Sequence, residues 1–95
     1  MGKRFKYMRS LPLSYAEQGV IWVTCQADRR QPEDGRAKIR AVCTRVGGGD
    51  GMKRRAILAF MTTRISWREC CDRHFISDAT LDRLRRAFFM EWGCR

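Results

Sequence analysis

Apolar residues recur at helical spacing along most of this chain. After a lead that ends at Leu11-Pro12, Ala16, Val20 and Val23 stand at i, i+4 and i+7, one stripe of a helix with 3.6 residues per turn. Ser14 precedes that stripe and Glu17 follows it by three positions, the spacing of a capping box. Val20-Ile21-Trp22-Val23-Thr24 also has the composition of a strand. A lone strand would have no partner here, so the segment is read as helix.

A second helix is expected to start at Gln31-Pro32-Glu33-Asp34, with Pro in the first turn and acids at the positive end of the helix dipole. Ile39, Val42, Cys43 and Val46 form its apolar stripe. Gly47-Gly48-Gly49 ends it and reads as a flexible linker, because the Lys and Ser/Thr of a phosphate-cradling loop are missing. Asp50 opens the second half. Lys53, Arg54 and Arg55 fall in or near the first turn of a helix whose buried side is Ile57, Phe60 and Met61 and which closes at Thr62 and Thr63. Ser66 and Glu69 repeat the capping-box spacing before a short helix to about His74. Ser77 then caps a final helix with Leu81, Leu84, Phe88 and Trp92 on one face.

The segment from Ser66 to Arg86 meets the physical demands of two helices joined by a sharp bend. Cys71 is small where the helices must approach, Ile76 plugs the turn, and Ser77 satisfies free N–H groups of the second helix. Leu81 and Leu84 face inward, and the helix through Ile57 supplies a third, supporting element. The fold expected is all-α, with about five short helices and a helix-turn-helix in the C-terminal half. Residues 1–12 are a basic arm and 13–95 one helical domain. Within it, 13–46 form a helical first half and 50–92 a trihelical helix-turn-helix unit.

Arg73-His74-x-Ile76-Ser77-x-Ala79-Thr80-Leu81-x-Arg83-x-Arg85-Arg86 resembles the helix-turn-helix of insertion-element transposase subunits and of small phage or prophage transcription regulators. The resemblance covers about residues 53–90. It implies that the helix from Asp78 enters the DNA major groove, with Ser77, Asp78, Ala79, Thr80, Asp82, Arg83 and Arg86 facing the DNA. Phe75 stands where such turns usually have Gly, so it must take a strained backbone or the turn must be built differently. Asp78 and Asp82 put two acids on the DNA-facing side, where a carboxylate can accept from the amino group of cytosine.

The charge agrees with a polyanion partner. Twenty Lys and Arg against ten Asp and Glu give net +10 and a pI near 10.3, the electrostatic footprint of nucleic-acid binding. Arg predominates over Lys, which suits bidentate contacts to phosphate and guanine. Lys53, Arg54, Arg55, Arg64 and Arg68 are the candidate phosphate contacts, and Lys3, Arg4, Lys6 and Arg9 a candidate minor-groove arm. No apolar run is long enough to span a membrane. The start has no apolar stretch of a leader. With an odd number of Cys, a reducing cytoplasm is the expected setting.

Cys70 and His74 stand at i, i+4 beside Cys71, but no CxxC pair accompanies them, so no metal is assigned. No nucleophile and carboxylate set surrounds the lone His, so neither an enzyme nor a cofactor is expected. Phe88, Phe89, Met90 and Trp92 exceed what one helix face can bury, and a homodimer interface would take the remainder. The function expected is a DNA-binding transcription regulator of phage or mobile-element type. The alternative is an interaction module that docks the same scaffold on RNA polymerase or a host-defence complex, which the two acids favour. A third reading is RNA binding through Phe5, Tyr7 and the basic arm.

Overall fold

The computed structural model describes residues 7–93. In chain order it forms α1 (Tyr15–Gln26), a single 3₁₀ turn (Asp28–Arg30), α2 (Glu33–Gly47), α3 (Gly51–Thr62), α4 (Trp67–His74) and α5 (Asp78–Gly93). The architecture is all-α, as the periodicity predicts, and no strand forms among the described residues. α5 is the central element and packs against each of the other four helices.

The helix starts follow from local chemistry. Ser14 and Glu17 form the full capping box, with Ser14 Oγ accepting from the Glu17 N–H at 3.1 Å and Glu17 Oε1 from the Ser14 N–H at 2.7 Å. Asp50 caps α3 by accepting from the N–H groups of Met52 and Lys53. At α4 only half of the expected box forms. Ser66 accepts from the Glu69 N–H at 3.1 Å, while the Glu69 carboxylate turns to Arg73 one turn on.

The core joins Ile39, Val42 and Cys43 of α2 to Ile57, Phe60 and Met61 of α3, and closes on Leu81, Leu84, Phe88 and Phe89 of α5. An aromatic row runs across it. Trp22 lies 5.6 Å from Phe60, and Phe60 meets Trp67 edge-on at 5.4 Å. Burial pushes the thiols of Cys25 and Cys43 up to about 12 and that of Cys70 to about 11, so these cysteines act as small core hydrophobes.

The structure differs from the sequence-based expectation in four places. First, Ala16, Val20 and Val23 face solvent, with Val20 66% and Val23 65% exposed; the buried face of α1 is Gln18, Ile21 and Cys25. Only Glu17 in α1 is charged, so hydrophobic period alone does not choose a face. Gln18 chooses it. Its buried amide donates to the Met8 carbonyl at 2.9 Å and the Leu13 carbonyl at 3.0 Å, and accepts from the Met8 N–H at 2.9 Å.

Second, those bonds fold the segment before α1 back onto the body, and Met8 and Leu13 are buried. Of the arm expected over residues 1–12, Lys3, Arg4 and Lys6 lie outside the described residues, and the part from Met8 onward is packed rather than free.

Third, the triple glycine is a tight turn and not a flexible linker. Gly47 ends α2 buried, and a Cβ there would stand 2.5 Å from Arg54 Cγ and 2.9 Å from Arg54 N. Gly48 takes φ +61°, a conformation open to glycine.

Fourth, the aromatic surplus of α5 needs no second copy. Phe88 and Phe89 are buried within the monomer. Trp92 stacks on Phe88 at 5.8 Å and carries Lys38 over its ring at 4.2 Å. The reason for expecting a homodimer there falls away.

Candidate nucleic-acid interface

α4 and α5 are joined by three residues, Phe75, Ile76 and Ser77. Phe75 takes φ 57°, ψ 46°, the left-handed region, which costs an ordinary residue about 1–2 kcal/mol. The strained option expected for the missing glycine is the one realised. The N–H groups of Phe75 and Ile76 both donate to the Cys71 carbonyl, closing the end of α4. Ile76 turns in against the core, whereas the Phe75 ring is 82% exposed. Ser77 Oγ accepts from the Thr80 N–H at 3.1 Å and donates to Thr80 Oγ1 at 3.0 Å, capping α5.

Polar contacts fix the angle between the two helices. Trp67 Nε1 donates to Asp78 Oδ1 at 3.2 Å, and the Cys71 thiol reaches the same oxygen at 3.5 Å. The Arg85 guanidinium sits 5.1 Å from the centre of the Trp67 ring, with only 11% of its side chain exposed, and donates to Asp82 at 2.7 Å.

The expected DNA-facing residues of α5 therefore divide. Ala79, Asp82, Arg83 and Arg86 share the side opposite Leu81, Leu84 and Phe88. Arg83 is exposed and has no hydrogen bond or ion pair among the described residues. Arg86 is half-exposed and held by Asp82 at 2.9 Å and by Ser10. The Arg86 and Arg85 guanidiniums hold the Asp82 carboxyl below its usual range. Asp78 points its carboxylate at α4, and Thr80 points its hydroxyl at Ser77.

The expected phosphate contacts are dispersed. On α3, Arg54 donates to the Gly48 carbonyl at 2.8 Å, Lys53 is half-buried and Arg55 is exposed. Arg55 lies close enough to His74 to lower the imidazole pKa, after burial and Arg73. Arg68 borders a shallow groove on α4 with Ser66, Glu69, Asp72 and Arg73. Arg9 is exposed.

Arg64 belongs elsewhere. With Arg29 and Arg30 it lines a cleft of about 580 Å³ between the end of α1 and the end of α3. Sequence reasoning overlooked Arg29 and Arg30, because nothing local ties an Arg-Arg pair to an arginine more than thirty positions on.

Charge is distributed unevenly on this scaffold. Ser66 to Arg86 carries five arginines and four carboxylates, so nearly all of the chain's net +10 lies outside α4 and the first half of α5. No helix among the described residues is long and apolar enough to cross a membrane. Compared with known protein families, with curated proteins and with solved structures, this chain matches none.

Proposed function

We propose that this chain is a DNA-binding transcription regulator of the helix-turn-helix kind, of phage or mobile-element type, working in the cytoplasm by binding and not by catalysis. The observation that carries this reading is Arg83. It stands unpaired on the open side of a helix that starts at a sharp, capped turn, in a chain of net +10. In this reading α5 enters the major groove. Arg83 donates bidentately to a guanine edge, and Ala79 leaves room for close approach. Asp82 presents Arg86 to the neighbouring base, a role that requires Arg86 to exchange Ser10 for DNA. Ser77, Asp78 and Thr80 set the start of the helix, and Lys53, Arg54, Arg55 and Arg68 hold phosphates.

Selection from random duplexes tests the reading. The chain should enrich a short site whose affinity falls steeply with salt. The Arg83→Ala, Arg86→Ala pair should erase the preference while circular dichroism stays unchanged. Unchanged preference in that pair would remove α5 from the interface.

Phe75 favours a second reading, docking on RNA polymerase or a host-defence complex through the same turn. The 82% exposed ring lies outside the core on a strained backbone, and exposed aromatics are typical anchors of protein interfaces. Phe75→Ala separates the two. It leaves duplex affinity intact under the DNA reading and abolishes co-purification of the host partner under the docking reading.

A further inference from the structure

We infer that the cleft between the end of α1 and the end of α3 is a phosphate site, and that it takes a backbone phosphate of the bound nucleic acid. The source of the phosphate rests on the reading of this chain as a nucleic-acid binder; the site itself does not.

Three arginines line the cleft from two separate segments, Arg29 and Arg30 from the 3₁₀ turn and Arg64 from the link between α3 and α4. None of the three has a hydrogen bond or ion pair among the described residues. No carboxylate lines the cleft. Asp28, next to Arg29, does not line it and is buried against Arg40 at 2.8 Å and Arg36 at 3.9 Å. Asp28 feels the charge of Arg29 through space, but no carboxylate among the described residues accepts a hydrogen bond from any of the three, so their donors are open to an anion.

A structural role for these arginines would be to neutralise the carbonyl ends of α1 and α3, which meet here. Neutral groups already do that work. Gln26 Nε2 donates to the carbonyls of Met61 at 2.8 Å and Thr63 at 3.0 Å. Gln31 Nε2 donates to the Thr24 carbonyl at 3.2 Å, and the Ala27 N–H donates to the Val23 carbonyl at 3.1 Å. The Gln26 bridge also ties one wall of the cleft to the other, so its backbone frame is held in place.

The donors available to a ligand are the guanidiniums themselves. Thr62 and Thr63 donate their hydroxyls back to Leu58 and Ala59 and have no proton to offer. Arginine forks match the paired oxygens of a phosphate. Val23 and Ala27 supply an apolar edge against which the sugar of a phosphodiester can lie.

The test is the Arg29→Gln, Arg30→Gln double variant of the full chain, with Arg45→Gln, whose charge is already paired with Glu91, as control. Affinity should fall about tenfold, equally on a selected and a scrambled duplex. The slope of log affinity against log salt should shrink by about one, the value for one lost phosphate contact. The control should keep the wild-type slope. In parallel, inorganic phosphate titrated against the wild type should shift the Nε–H NMR signals of Arg29, Arg30 and Arg64 saturably.

Unmoved arginine signals overturn the site. Moved signals with an unchanged salt slope in the double variant overturn the nucleic-acid backbone as its occupant. A chain that binds no duplex yet shows the phosphate shifts loses the DNA reading and keeps the site, with a free phosphate group as ligand.

Discussion

The indole N–H of Trp67 donates to the Asp78 carboxylate at 3.2 Å, linking the first turn of α4 to the first turn of α5. Those turns are eleven residues apart in sequence and set the angle at which α5 leaves the body. Each of Asp78→Ala and Trp67→Phe should cost about 1–2 kcal/mol in urea unfolding. The double variant should cost about 1 kcal/mol less than their sum, because the two residues share the interaction. Strict additivity would mean that the contact does not hold the helices.

Phe75 should respond to substitution through its backbone and not its ring. Phe75→Gly relieves the left-handed strain and adds unfolded-state entropy, so stability should stay level or rise by up to about 1 kcal/mol. Phe75→Val puts a β-branched residue in the same conformation and should lose about 1 kcal/mol. Thermal unfolding of the pair reads the contrast, and a marked loss in Phe75→Gly would give the ring a structural role.

Gln18 and Val20 should reverse the order that hydropathy assigns them. Gln18→Ala strands buried partners at Met8 and Leu13 and should cost about 2–3 kcal/mol. Val20→Ser and Val23→Ser act on exposed positions and should stay within about 0.5 kcal/mol. Urea midpoints of the three variants check this. A costly Val20→Ser would place that face in a contact.

Stability should fall in two steps as pH is lowered. The folded-state pKa of His74 lies below its ordinary 6.5, so the unfolded chain binds more protons between those values and stability declines below about pH 6.5. Asp28 is held below its ordinary 3.8, chiefly by the hydrogen bond from Arg40. Its contribution is complete above that value and disappears as pH falls through the folded one. Melting temperature against pH should show both steps, and His74→Leu should remove only the first.

The helices themselves were legible in the chain. Ser14, Asp50, Ser66 and Ser77 announce four helix starts through short-range hydrogen bonds that any chain with those neighbours can make. Leu81, Leu84 and Phe88 were assigned to the right face because α5 has charged residues on its other side. The bend at Phe75 was legible as a bend; that its backbone takes the left-handed region rather than another turn was decided by the structure.

What the chain alone could not specify was which surfaces meet. α1 is apolar on both sides, so its orientation was decided by a polar residue, Gln18, that finds its partners only once the segment from Met8 to Leu13 folds back. Trp92 looked like part of a surplus because one of its covers, Lys38 of α2, is distant in sequence. Arg29, Arg30 and Arg64 become one cluster only when the ends of α1 and α3 are brought together. Local sequence sets backbone conformation through near-neighbour sterics and hydrogen bonds; the pairing of faces and the convergence of charges depend on contacts between remote segments, which exist only in the folded chain.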